Sequence, residues 1–212
     1  SSTAVTVMVS DTGFILFEYD DPSGNSNLGL YANQQGGSPC YLVTPSKKYF
    51  EGIFEFKRYI NGNRDGVQVV NILTLDQYIN GLLPWEISPS WPIEVQKAVA
   101  VAARTYALSM LNRHSEYGFD MCNGTHCQAY LGIGRATEAS RRAVAETSGL
   151  ILTYNGEPAR TYYSAVTGGC TVSVTEAWGG GNNVSYLRAI HTPWEKYSTH
   201  SEGEWQTEVT PE

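Results

Sequence analysis

PIEVQKAVAVAARTYALSMLNR, residues 92–113, is the clearest helical pattern in the chain. Pro92 brings a fixed φ suited to the first position of a helix, and Glu94 puts an acid in the first turn. Val95, Ala98, Val99, Ala102 and Tyr106 recur at three- and four-residue spacing and predict one buried stripe. The small side chains would let another backbone come close. Lys97 and Arg104 are seven residues apart, so at 100° per residue they share a face, about 10 Å apart along the axis. Two cations in line beside alanine and valine suit the wall of a cleft, although on many helices the same pattern is a solvated face.

Immediately upstream, LLPWEISPSWP (82–92) sets Glu86 among two tryptophans and three prolines. A carboxyl with apolar neighbours loses hydration and holds its proton, as a general acid near neutral pH requires. The plainer alternative is that Glu86 caps the following helix or faces water. Thr74 and Gln77 have capping-box spacing, and LDQYINGLL predicts a short helix ending at Pro84.

Residues 1–73 are strand-rich. VTVMV, FILFEY, YLVT, YFEGIFEF and VQVVNILT are separated by the turn signals DPSGN, NQQGGSP and NGNRDG. Residues 114–135 predict an irregular loop, and 137–147 a helix capped by Thr137 and stopped by Gly149. LILTYNG and ARTYYSAV predict a hairpin about Asn155-Gly156. The remainder is glycine-rich with short strands, on one of which Tyr186 and Arg188 would share a face as an aromatic–guanidinium pair. The expected class is α+β: a small helical core carrying the acid, flanked by antiparallel sheet from both ends of the chain. A β-rich region, 1–73, would precede a catalytic region, 74–212, packed as one compact unit.

Composition narrows the function. A net charge of −7 without a basic run argues against a nucleic-acid partner. With 21 glycines and 14 tyrosines against 14 Lys plus Arg, the 212-residue chain suits a turn-rich extracytoplasmic protein with a neutral, hydroxylated ligand such as a glycan. No stretch reaches the roughly 18 apolar residues of a membrane span. The opening SSTAVTV lacks Met and a signal peptide, so an export signal or anchor is expected to have preceded it.

Four cysteines, Cys40, Cys122, Cys127 and Cys170, allow three pairings. CNGTHCQAY (122–130) groups Cys122, His126 and Cys127, with His114 the nearest fourth donor, a set suited to tetrahedral zinc. The competing reading is a Cys122–Cys127 disulfide, with Cys40 and Cys170 as a second pair. Either way the loop would be structural, because no open position for a metal-bound water is evident. Cys127 as a nucleophile beside His126 is disfavoured, since consecutive side chains rarely meet for proton transfer. Ser164 in SAVTGGC lacks the flanking glycines of a nucleophile elbow.

Taken together, these segments resemble the stage II sporulation protein D (SpoIID) family. The resemblance rests on YINGLLPWEISPSWPIEVQKAVAVAARTYAL, CNGTHCQAY, ETSGLILTYNGEPARTYYSAVTGGCT and SYLRAI, in that order, and covers about residues 70–195. It implies a peptidoglycan lytic transglycosylase that cleaves the β-1,4 bond between N-acetylmuramic acid and N-acetylglucosamine in glycan strands stripped of stem peptides, leaving a 1,6-anhydro end. By matching positions it implies Glu86 as the catalytic acid, Lys97 and Arg104 beside the cleft, and Gln128, Tyr130, Ser164, Tyr186 and Arg188 as glycan contacts. It also implies a structural zinc at the cysteine–histidine loop, with no cofactor required for the chemistry. The partners implied are peptidoglycan, a cell-wall amidase and a membrane-anchored protein. Departures from the family pattern are Cys170 after Gly-Gly, Arg188 in place of lysine, and Trp85 and Ile87 around the acid.

One carboxylate can suffice for such chemistry. Ordinary glycosidases use two, but here the muramoyl C6 hydroxyl would act as a nucleophile of high effective molarity. The alternatives from other classes are a glycan-binding module that activates an amidase without cutting, and a zinc hydrolase centred on Cys122, His126 and Cys127.

Overall fold

A computed structural model describes residues 40–42, 48–61, 64–179 and 184–197. The runs VTVMV and FILFEY lie outside the described residues. The chain divides into two units, one ending at Thr161 and the other beginning at Tyr162.

In the first unit, β1 (Cys40–Leu42) pairs antiparallel with β2 (Lys48–Phe50). A longer antiparallel hairpin follows, β3 (Ile53–Asn61) with β4 (Arg64–Ile72), in register from Ile53↔Ile72 to Asn61↔Arg64. A third ladder, β5 (Thr153–Tyr154) with β6 (Glu157–Pro158), turns at Asn155 and Gly156, whose φ values of 52° and 86° are those of a primed hairpin turn. Antiparallel ladders and helices together make the α+β class expected from the sequence.

Three helices form the core of this unit. Thr74 and Gln77 exchange the two bonds of a capping box at the start of α1 (Leu75–Glu86). This helix does not end at Pro84 as the sequence predicts. The proline sits buried in its last turn, where it forfeits one backbone bond, and the Ile87 N–H still donates to the Leu83 carbonyl at 3.1 Å. Glu86 is therefore the last helical residue. α2 spans Ile93–Ser109 with Pro92 as its N-cap, and α3 (Glu138–Glu146) starts on a Thr137–Ser140 capping box.

The buried face of α2 also differs from the predicted stripe. Gln96, Ala100, Ala103, Arg104, Thr105, Tyr106 and Ala107 are buried; of the predicted stripe only Tyr106 is among them, and Val95 and Ala98 are exposed. With small apolar residues on every side of the helix, polarity gave a misleading rotation. The core includes Phe50, Phe54, Ile79, Leu82, Leu83, Ala100, Ala103, Tyr130, Ala143 and Val144. Gly81 is needed there, because a Cβ would fall 2.4 Å from the Tyr130 ring.

Lys97 and Arg104 do lie along one line of α2, but that line faces α3. Arg104 is only 1% exposed. Its Nε and Nη2 donate to Asp76 Oδ1 at 3.2 and 2.9 Å, and its remaining donors reach the Val144 and Leu150 carbonyls at 3.3 Å. One guanidinium thus joins α1, α2 and the end of α3.

The second unit contains α4 (Val174–Trp178), with Ser173 and Glu176 as a capping box, where the sequence predicted strand. The Ser-Val-Thr-Glu spacing overrides the β-branched composition. Tyr186 lies in a turn, so it and Arg188 do not share a strand face.

Removing Asp76 would leave the buried guanidinium short of its counter-charge. Asp76→Ala is expected to cost about 3–5 kcal/mol of unfolding free energy, read from urea titration. Adding Arg104→Met should recover part of it. A loss below about 1 kcal/mol, within the range of an exposed pair, would contradict the clamp.

Candidate functional site

The loop between α2 and α3 brings four donor side chains together. The ligand atoms of His114, Cys122, His126 and Cys127 all lie within 4.8 Å of one another. Cys127 Sγ is 3.4 Å from His114 Nε2 and 3.6 Å from His126 Nδ1, while Cys122 Sγ is 3.7 Å from the same Nδ1. Donor separations of roughly 3.3–3.8 Å are those of a tetrahedron with zinc–sulfur and zinc–nitrogen bonds of ordinary length. Both thiols are free, so the disulfide reading does not describe this loop.

Local folding explains the convergence. The Asp120 carboxylate accepts from the Asn112 N–H, and the His114 N–H donates to the Asp120 carbonyl, closing a tight turn that points His114 inward. The His114 ring packs on Phe119 at 5.1 Å, and the Cys127 N–H donates to Gly124 O. Burial pushes the Cys127 thiol up. Burial also acts upward on Cys122, but hydrogen bonds from the Gly124 backbone and from Cys127 outweigh it, so Cys122 moves down and loses its proton first. Arg113 lies 3.1 Å from His126 Nε2. That contact competes with ligation through Nδ1, because ligation leaves the ring proton on Nε2.

Glu86 is half-buried at the end of α1. Its neighbour Trp85 donates its indole N–H to the Gly132 carbonyl at 2.6 Å and carries the Arg135 guanidinium 4.2 Å above its ring. That indole is therefore engaged with the loop before α3. Glu86 and the metal-type cluster both belong to the first unit.

The other residues carried over from the family are placed as follows. Arg104 is buried in the core clamp and does not line a cleft. Lys97 forms ion pairs with Glu94 at 2.9 Å and Glu146 at 2.6 Å. Lys97 and then Arg142 hold the Glu146 carboxyl down to about 2. Gln128 is buried, accepting from the Tyr78 hydroxyl at 2.9 Å and donating to the Ala103 carbonyl. Tyr130 is buried too, stacked on Tyr78 at 5.2 Å, with its hydroxyl donating to Asn71 Oδ1 at 2.8 Å. Burial drives its phenol well above the ordinary range. In this structure Arg104, Gln128 and Tyr130 support the site from within; their polar groups point into the protein.

Ser164, Tyr186 and Arg188 belong to the second unit. Ser164 and Arg188 are exposed, and the Ser164 hydroxyl donates to Val166 O at 3.1 Å. Cys170 is an exposed free thiol. The Glu195 carboxylate, which the sequence did not flag, organises this unit. It accepts from the Thr167 N–H and hydroxyl and from the Gly169 N–H, the last at 2.6 Å, while Thr192 contributes a longer bond of 3.4 Å. Gly168 and Gly169 take positive φ values of 67° and 89°, a turn that brings the Gly169 amide onto the carboxylate. Asp76 was the other omission: its sequence position, in the first turn of α1, resembles ordinary dipole compensation.

Comparison with known proteins places this geometry in context. A family model described as stage II sporulation protein matches residues 63–154. Over 145 residues the chain is 38% identical to an uncharacterized protein of Brachyspira hyodysenteriae, covering 65% of this chain and 39% of that one. It is 34% identical over 111 residues to an amidase enhancer of Bacillus subtilis, covering 52% of this chain and 14% of the enhancer. It is also 27% identical over 210 residues to stage II sporulation protein D of Bacillus subtilis, covering 92% and 59%. The chain thus spans less than two thirds of the length of each of these relatives.

The Glu195 contacts carry a pH signature. Donation from Thr167, then Gly169 and Thr192, holds this carboxyl below its usual range. Its stabilising contribution is fully present above the unfolded carboxyl value of about 4.3 and is lost as pH falls through the lower folded value. The Gly169 amide resonance should titrate with a midpoint below about 4.3, and Glu195→Gln should remove that titration. A midpoint at or above the ordinary value would contradict the arrangement.

Proposed function

Because the chain belongs to the stage II sporulation protein D family, we propose that it is a peptidoglycan lytic transglycosylase with Glu86 as its general acid and base. The matched segment, residues 63–154, contains Glu86, and this is the observation that carries the reading. The position of the side chain supports it. Glu86 ends a helix whose first turn is held by Arg104 through Asp76, and the carboxyl is half-buried.

In the proposed reaction Glu86 begins protonated and gives its proton to the bridging O4 as the bond from the muramoyl C1 breaks. The C6 hydroxyl of the same sugar attacks C1 and closes the 1,6-anhydro ring. Its proton passes to the Glu86 carboxylate, which restores the acid. No water enters, so no second carboxylate is required to activate one. Arg104 is itself a cation, paired with Asp76 in the core, so it does not offset positive charge at C1; the substrate's own N-acetyl group can supply that stabilisation. Peptidoglycan as substrate places the protein outside the cytoplasm.

His114, Cys122, His126 and Cys127 would hold a zinc ion, for which a two-thiolate, two-imidazole set is suitable. The ion would close the loop and contribute folding energy. No open coordination position is assigned to it, so bond cleavage rests on Glu86. The similarity to an amidase enhancer favours a second reading, in which the chain binds cell-wall glycan and activates a partner amidase.

Glu86→Gln should abolish the formation of anhydromuramoyl ends from peptide-free glycan strands, by mass spectrometry, while the circular dichroism spectrum stays unchanged. Full activity in this variant would remove Glu86 from its role. Absence of product ends from the wild type, with stimulation of an added amidase, would select the second reading. Chelation or Cys122→Ser should lower the melting temperature by several degrees. At temperatures where the fold persists, turnover should survive, whereas its immediate loss would indicate metal-centred hydrolysis.

A further inference from the structure

The loop that leaves Glu86 is supported from beneath in an unusual way. Gln96 on α2 is 1% exposed. Its amide nitrogen donates to the Pro89 carbonyl at 3.1 Å and to the Trp91 carbonyl at 2.8 Å. Its buried Oε1 has no partner among the described residues. An apolar residue would avoid burying that oxygen, so Gln96 stabilises a particular loop shape at a cost to the core. The loop is fixed in other ways too. The Trp91 N–H donates to the Ser88 carbonyl at 3.1 Å, the Ser88 and Ser90 hydroxyls are 2.8 Å apart, and Pro89 and Pro92 restrict the backbone.

This well-determined loop leaves Trp91 48% exposed. A large indole at the surface, carried on a backbone that these bonds fix and only five residues beyond the proposed acid, is not among the core residues. Resting on the glycan reading above, we propose that Trp91 is a stacking platform for a pyranose ring of the bound strand, and that Gln96 is the positioning residue that holds it. The C–H face of a β-linked hexopyranose is flat and apolar, matching an indole, while its equatorial hydroxyls point outward to groups such as the exposed Ser88 and Ser90. An anionic membrane surface is a poorer match, since LLPWEISPSWP (82–92) contains an acid and neither lysine nor arginine.

Binding can be measured apart from cleavage in the Glu86→Gln background, by calorimetry with a tetramer of β-1,4-linked N-acetylglucosamine. Adding Trp91→Ala should weaken binding at least tenfold, and Trp91→Phe should weaken it less. Gln96→Leu should weaken it several-fold while the melting temperature holds or rises, because the unpartnered oxygen is gone. A purely structural glutamine would instead lose affinity only together with stability. The inference is overturned if the parent does not bind the tetramer, if Trp91→Ala binds within twofold of it, or if Gln96→Leu loses affinity only as it loses stability. Activity retained by Glu86→Gln would defeat the catalytic proposal alone, so the two failures are distinguishable.

Discussion

The buried guanidinium of Arg104 is the constraint around which the first unit is organised. A cation this deep in the protein requires counter-charge and acceptors, and it finds Asp76 on α1, Val144 on α3 and Leu150 just beyond. Leucine in its place could fill the volume but would not dictate how the three helices rotate about one another. Buried ion pairs contribute little net stability against apolar replacements, yet removing one partner is costly. The consequence for function is positional. α1 is gripped at its first turn, and Glu86 sits at its other end on a continuous helix that includes Pro84.

A second layer of support comes from residues that sequence comparison alone would place on a glycan. Tyr130 fills the notch left by Gly81 and hydrogen-bonds Asn71, which in turn donates to the Glu51 and Ile53 carbonyls. Gln128 joins Tyr78 of α1 to the Ala103 carbonyl of α2. The cysteine–histidine loop therefore connects to the core through its last three residues, while its first half gathers the donor set.

How much of this could be read from the sequence depended on whether the signal was local. Capping at Thr74 and Thr137, the Asn155-Gly156 turn and the start of α2 follow from short-range chemistry and lie where the sequence put them, although α2 ends at Ser109, four residues short of the predicted 113. So does the convergence of Cys122, His126 and Cys127, which are near in sequence; His114 joined them because a single turn folds it back. The rotation of α2 was not recoverable, since Val95, Ala98 and Val99 make as good a stripe as Ala100, Ala103 and Ala107. Nor was the fate of Arg104, because its partner Asp76 lies 28 residues away and nothing local marks the pair. Glu195 escaped notice for the same reason: its donors, Thr167 and Gly169, come together only when the chain folds back on itself.

The proposed chemistry depends on a single acid and on an attacking oxygen supplied by the sugar itself. Cleavage of uniform, peptide-free glycan strands in water enriched in oxygen-18, followed by mass spectrometry of the new muramoyl ends, tests this directly. Transglycosylation predicts ends about 20 mass units lighter than ends hydrolysed in that water and free of the heavy isotope, because no solvent oxygen enters the product (about 20 being the mass of the one heavy water that intramolecular attack leaves out). Heavy oxygen at the new reducing ends would mean that water, not the C6 hydroxyl, attacks, and would contradict the proposal.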